Sequence, residues 1–335
     1  SQDPGKRAQL TETLGRLYLD DGQLVLAKEM FSSSQSAGNT SPEFLRAHAG
    51  LLSRLGEIEL AADCHRRLLK QSAYDRESNL FMAHRAIGIR KYEEAIDALE
   101  ALRAASPADS GVLDALGIAY AATGRHAAAA EVLQKLLAQT ASSKYSARYA
   151  DALYHAGHYK SALQEYRSLV AAGGAFPDQL RRAAELEQSH GNWKAAEDII
   201  LRLLAVGGTE KERASLADVL RRMGDMSLRQ RNVSEASRTA ERLLALNSND
   251  PLAFILMGRV KLMEGKSAAA VESFSRAASL APNDARAILG LAEVELRQQR
   301  PVAAMDYARK ALAIDSSLPE AYTVMGLAYQ RQGDI

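Results

Sequence analysis

Histidine, cysteine and lysine are among the side chains of this sequence that could ligate a metal, attack a substrate or hold a phosphate. Seven histidines occur, and none forms the His-Glu-x-x-His pattern of a helix-borne zinc site. His155 and His158 are three apart but straddle an expected helix end. His48, Cys64, His65 and His84 could lie near one another; with no convergent carboxylate shell they read as packing or solvated residues. Cys64 is the sole cysteine, which leaves no disulfide framework and no thiolate zinc set. Gly265-Lys266-Ser267 resembles the end of a phosphate-binding loop, but Val260 stands where that loop needs its first glycine. Gly173-Gly174 and Gly207-Gly208 fall where helices should end and read as C-cap glycines, not phosphate cradles. The sequons Asn39-Thr40-Ser41 and Asn232-Val233-Ser234 receive no function, and Pro42 weakens the first. No nucleophile–base pair stands out, so the expectation is a non-enzyme with no cofactor and no metal.

The bulk composition narrows the class. At 335 residues, two or three domains or a repeat array is expected. Hydrophobic residues make up 47% and aromatics only 6%, with 8 prolines among abundant alanine and leucine, a mixture that favours helices. Forty-two basic residues against 41 acidic ones argue against a nucleic-acid-binding surface. No run of about 18 apolar residues occurs, so direct membrane insertion is not expected.

The elements that would position any site come from a repeat. Gly22, Gly56, Arg90, Gly124, Gly157, Gly191, Arg231, Gly265 and Gly333 recur at a period of 34 with two small exceptions. Units are predicted at 8–41, 42–75, 76–109, 110–142, 143–176, 177–210, 217–250, 251–284 and 285–318, with a half-unit at 319–335. Residues 1–7 read as a tag or a disordered segment, and the severed half-unit reads as the end of a piece cut from a longer array. Each unit carries two amphipathic stripes, as in Phe254, Met257, Gly258 and then Ala270, Phe274, Ala277. The eighth place is always small: Gly15, Ala49, Ala83, Gly117, Ala150, Ala184, Gly224, Gly258, Ala292 and Gly326. The twentieth is alanine in all nine full units, Ala27, Ala61, Ala95, Ala129, Ala162, Ala196, Ala236, Ala270 and Ala304. Small residues in register let two antiparallel helices approach closely. Lys211 to Leu216 are inserted before the seventh unit, where Thr209 followed by Glu210 and Glu212 predicts a first helix longer by about two turns.

This pattern resembles the tetratricopeptide repeat, with Leu14-Gly15-Tyr18, Leu116-Gly117-Tyr120 and Tyr322-Met325-Gly326-Tyr329 in first helices and Ala270, Phe274, Ala277 and Pro282 in a second. The resemblance implies an all-α fold, an α-solenoid whose helix-turn-helix pairs wind into a right-handed superhelix. It also implies that the second, fifth, sixth, ninth, twelfth and thirteenth places of each first helix face a ligand in a concave groove. On this chain those places include Arg148, Asp151, Tyr154, Arg181, Arg182, Glu185, Arg221, Arg222, Arg229, Leu252, Ile255 and Leu256. Arg181 with Glu185 and Arg221 with Asp225 are expected as i,i+4 pairs within one helix. The aliphatic eighth unit, with Leu262 and Met263, is expected as an apolar groove face that a helix or extended peptide would cover. Two of the family's ligand modes are missing: the lysine–asparagine carboxylate clamp, replaced by Glu12/Arg16, Arg46/Gly50 and Arg181/Glu185, and the asparagine ladder of its sugar-nucleotide transferases.

The functional expectation is a scaffold that binds a peptide, helix or partner protein in that groove. The competing expectation is a periplasmic repeat region of an exopolysaccharide-export protein that recruits modifying enzymes or guides polymer, with polysaccharide as a partner. The Ala/Arg-rich composition suggests a bacterial source, in periplasm or cytoplasm.

Overall fold

A computed structural model describes residues 3–140 and 142–333. The expectations that fall on Ser1, Gln2, Ala141, Asp334 and Ile335 lie outside the described residues. The chain forms two compact units, one ending at Gly174 and one beginning at Ala175. The first holds α1 (Pro4–Asp20), α2 (Leu24–Ser36), α3 (Pro42–Arg54), α4 (Ile58–Gln71) and α5 (Arg76–Gly88). It continues with α6 (Tyr92–Ala105), α7 (Ser110–Ala122), α8 (His126–Gln139), α9 (Ser143–His155) and α10 (Tyr159–Ala171). The second holds α11 (Pro177–Ser189), α12 (Trp193–Ala205), α13 (Glu210–Arg229), α14 (Val233–Leu246) and α15 (Pro251–Met263). It closes with α16 (Ser267–Leu280), α17 (Ala285–Arg297), α18 (Pro301–Ile314) and α19 (Pro319–Gln332). Among the described residues there is no strand. Within each unit the helices pack mainly on their neighbours in sequence, which makes the fold an all-α solenoid.

Local chemistry sets the helix boundaries. Asp75, Asp109 and Asp250 each sit just before a first helix, and their carboxylates accept hydrogen bonds from its opening N–H groups. Helix α1 begins earlier than the repeat pattern predicts. Asp3 accepts from the Gly5 N–H at 3.0 Å and Pro4 takes the first helical position, so residues 4–7 form its first turn instead of a loose segment. Helix α13 has 20 residues against 13 or 14 for most others. Thr209 and Glu212 form a reciprocal capping box there, which folds the six-residue insertion into the helix.

The turn inside each helix pair needs one left-handed residue. Gly22, Gly56, Gly124 and Gly265 supply it with φ of +75° to +76°. Arg90, Arg231 and Gln299 occupy the same place at φ 61°, 57° and 61°, where a Cβ costs energy that glycine avoids. Gln299→Gly should therefore raise stability by about 0.5–1 kcal/mol after the extra unfolded-state entropy of glycine is deducted. A higher urea midpoint at unchanged slope would show it.

Packing follows the small residues. All nine alanines of the twentieth place are fully buried. A Cβ added to Gly15 would meet the Phe31 ring at 2.3 Å, and one added to Gly258 would meet Phe274 at 2.7 Å, so the glycines are sockets for large side chains of the second helices.

Candidate partner-binding cleft

The sequence-derived site residues divide between the two units. In the first, Arg148 is ion-paired with Asp114 of α7, and Asp151 accepts the Tyr166 hydroxyl at 2.7 Å. Tyr154 packs edge-on against Tyr159, ring centres 5.5 Å apart. These three are engaged in holding α7, α9 and α10 together.

In the second unit, the arginines of the fifth place have a structural task. Arg181 Nε donates to Glu212 at 2.8 Å, and Arg221 Nη2 donates to Asp250 at 2.7 Å. Both acceptors cap the first helix of the following pair. The first unit repeats the device with Arg46 to Asp75 at 2.7 Å and a close variant in Arg76 with Asp109. Arg181 and Arg221 also reach back three residues, to Asp178 and Asp218. For Arg221 the expected Asp225 partner is thus replaced, because a cap carboxylate aimed at helix N–H groups leaves an oxygen for a guanidinium. Hydrogen bonds from Arg181 and then Thr209 hold Glu212 down at about 2. Burial opposes the same effect at Asp75, yet bonds from Arg46 and Ser78 still bring it to about 2.

Six predicted residues, Arg221, Arg222, Arg229, Leu252, Ile255 and Leu256, line one cleft of about 910 Å³ in the second unit. Arg181, Arg182 and Glu185 are not part of its lining. Trp193, Arg259, Arg286, Leu318 and Glu320 join it, none of them foreseen from sequence. Trp193 opens α12, a second helix, and so lies outside the six first-helix places. Arg259 occupies a ninth place, and its type among aliphatic neighbours was the available signal.

The charges of the cleft are unequally engaged. Arg221 is held by Asp218 and Asp250, and Arg286 by Asp284 at 2.6 Å. Arg222 lies over the Trp193 ring, 5.9 Å from its centre, a cation–π contact. Among the described residues Arg222, Arg229 and Arg259 form no ion pair. The apolar floor differs from the exposed patch expected. Ile255, Leu256 and Leu262 are only 5% exposed, and Leu256 fills the space that a Gly224 Cβ would occupy, 2.4 Å from it. Leu252 and Leu318 are half-buried and remain reachable. Substituting Leu256 would therefore damage packing before it tested binding.

The other motifs settle into structure. His48 Nδ1 and Cys64 Sγ are 3.9 Å apart in the first unit's core, and His65 Nδ1 meets Ser78 Oγ at 3.0 Å. Among the described residues no group of three or more His, Cys, Asp or Glu side chains could share a metal ion. Gly265 is the left-handed turn residue between α15 and α16, and Lys266 pairs with Glu264 at 2.9 Å. Gly173 and Gly207 follow the ends of α10 and α12 with φ 70° and 104°.

Fold and cleft together define a class: stacked antiparallel helix pairs with small residues in register, left-handed turns and a cleft formed largely by first helices. The tetratricopeptide repeat profile matches residues 82–144, 221–285 and 255–319. The chain is a tetratricopeptide repeat protein. It is similar to a solved MamA structure from Desulfovibrio magneticus, at 22% identity and TM-score 0.45, covering 50% of this chain and 96% of that one. It is also similar to a tetratricopeptide repeat protein from Parabacteroides merdae, at 17% identity and TM-score 0.39, covering 75% and 98%. YrrB, described as a repeat protein with an unusual peptide-binding site, is similar at 18% identity and TM-score 0.41, covering 58% and 97%. No curated protein matches the chain by sequence. No helix among the described residues is long and apolar enough to cross a membrane.

Proposed function

We propose that the chain is a protein-interaction scaffold whose second unit holds a peptide or helix of a partner in the cleft beside Trp193. One observation carries the reading: three guanidiniums that form no ion pair among the described residues surround a reachable aliphatic floor in a cleft of about 910 Å³. That size and mixture suit a side-chain-bearing segment. The polymer-guiding reading gains no comparable support, since Arg222 already covers a face of the indole on which a sugar ring would stack.

Trp193 is the only tryptophan, so its emission reports on this cleft alone. Peptides selected from a random library on the intact chain should shift that emission, and Arg222→Glu with Arg229→Glu should abolish the shift while helicity is kept. Binders that leave Trp193 emission unchanged and tolerate both substitutions would place recognition elsewhere. A library with no binder would also count against the reading.

A further inference from the structure

The cleft's charges identify the kind of segment that fits, an inference that rests on the binding reading above. Arg222 and Arg229 are seven residues apart on α13, so they lie on one face, about 10 Å apart along the axis. Arg259 projects from α15, which packs beside α13. Covering these three with a partner would strip water from their guanidiniums, a cost that only anionic groups offset well. Two exposed carboxylates of the cleft, Asp225 and Glu320, make no ion pair among the described residues. Against three arginines that form no ion pair they leave an excess of one, before Glu293 of α17 is counted.

A third carboxylate bears on Arg259. Glu293 stands on α17 at the place that Arg259 holds on α15, and the two helices are in contact. It is half-buried and makes no hydrogen bond or ion pair among the described residues. The charged groups that act on it are Arg259 from α15, Arg297 from its own helix and Glu320 from α19. Arg297 donates to the Leu262 carbonyl at 2.8 Å. Burial raises the Glu293 carboxyl above the ordinary range, against the pull of the two arginines.

We infer that the cleft takes an acidic amphipathic segment, whose carboxylates pair with Arg222, Arg229 and Arg259 and whose apolar side chains cover Leu252 and Leu318, and that Glu293 competes with it for Arg259. An acidic residue every seventh position along a bound helix would meet both arginines of α13. Glu293 supplies part of that negative charge when the cleft is empty, so its removal favours the ligand.

The test uses the full chain and two synthetic amphipathic peptides, each with Leu at every third or fourth position. One carries Glu between the leucines and the other Gln, and both are titrated against Trp193 emission and by calorimetry. The Glu peptide should bind, weakening with added salt, and the Gln peptide should bind at least about tenfold more weakly. Arg259→Gln and the exposed Arg229→Gln should each lower affinity for the Glu peptide severalfold with the thermal melt unchanged. Glu293→Gln should raise it severalfold. Equal binding of the two peptides would overturn the acidic preference while leaving the binding reading standing. Binding of neither would remove both. If the Arg229 and Arg259 variants bind the Glu peptide as tightly as the parent, the assignment of the anchors is wrong. An unchanged affinity in Glu293→Gln would overturn the competitor role.

Discussion

Phe274→Ala is expected to destabilise the second unit by about 3–5 kcal/mol, a larger loss than replacement of the exposed cleft arginines Arg222 and Arg229 would cause. The Phe274 ring is fully buried. It fills two sockets at once: an added Cβ would come within 2.7 Å of it at Gly258 and within 2.3 Å at Gly290. Gly258 lies on α15 and Gly290 on α17, so one side chain of α16 joins two successive first helices. Truncation leaves a cavity that neither glycine can fill, and in a solenoid each pair depends on its neighbours for cover. Gly258→Ala alone should also destabilise, by about 1–3 kcal/mol, because the ring must move. In the Phe274→Ala background the same change should be neutral or stabilising, since alanine is the better helix former by about 1 kcal/mol and the clash has gone. Urea titrations of the four proteins give the cycle. If Gly258→Ala costs the same in both backgrounds, the socket account fails.

The small residue on one side of that socket, Gly258, was readable in the sequence, whereas Gly290 on the other side and the arginine pairings were not. Small residues at the eighth and twentieth places recur at fixed spacing, and close helix approach gives them one physical reason. Phe274 fell on the apolar stripe of its helix for the same reason. The left-handed turn was legible where glycine marks it; Gln299 shows φ 61° with no such mark, because the helix-end bonds from its own N–H to the Leu296 carbonyl and from the Arg300 N–H to the Glu295 carbonyl close the turn around it. The fifth-place arginines were misread since an i,i+4 acid on the same helix is the simplest partner. Their true acceptors, Asp250 for Arg221 and Glu212 for Arg181, lie 29 and 31 residues on. A cap aspartate ending one repeat and an arginine five places into it was a sequence signal, visible at Arg46 and Asp75 as well. The aliphatic eighth unit misled for a different cause. Places that face a ligand in other arrays are here packed against Gly224 and its helix, which no single-helix pattern discloses.

Lowering the pH from 6.5 to 4 is expected to remove about 3 kcal/mol of stability from the first unit through His48. The imidazole is 3% exposed, enclosed by Phe31 and Phe44 with ring centres 5.7 and 5.6 Å away, and its Nε2 has no hydrogen-bond partner. Burial first, then the charges of Lys28 and Arg67, press its pKa down to about 4. The unfolded chain, with an ordinary histidine near 6.5, therefore binds the proton first as pH falls. Stability from this group is fully present above about pH 6.5, declines through the interval, and is gone below about 4. His65, also depressed chiefly by burial, acts in the same direction. Asp75, held near 2 in the same unit, titrates below this window. Cys64 supplies the reporter: it is the sole cysteine, it is buried, and its Sγ lies 3.9 Å from His48. Its labelling by a dipyridyl disulfide, normalised to the denatured chain, follows local opening of that core. The normalised rate should rise about a hundredfold between pH 6.5 and 4, and His48→Leu should remove most of that rise. An equal acid response in the variant would place the titrating group elsewhere, and a flat parent profile would show that His48 charges without opening the core.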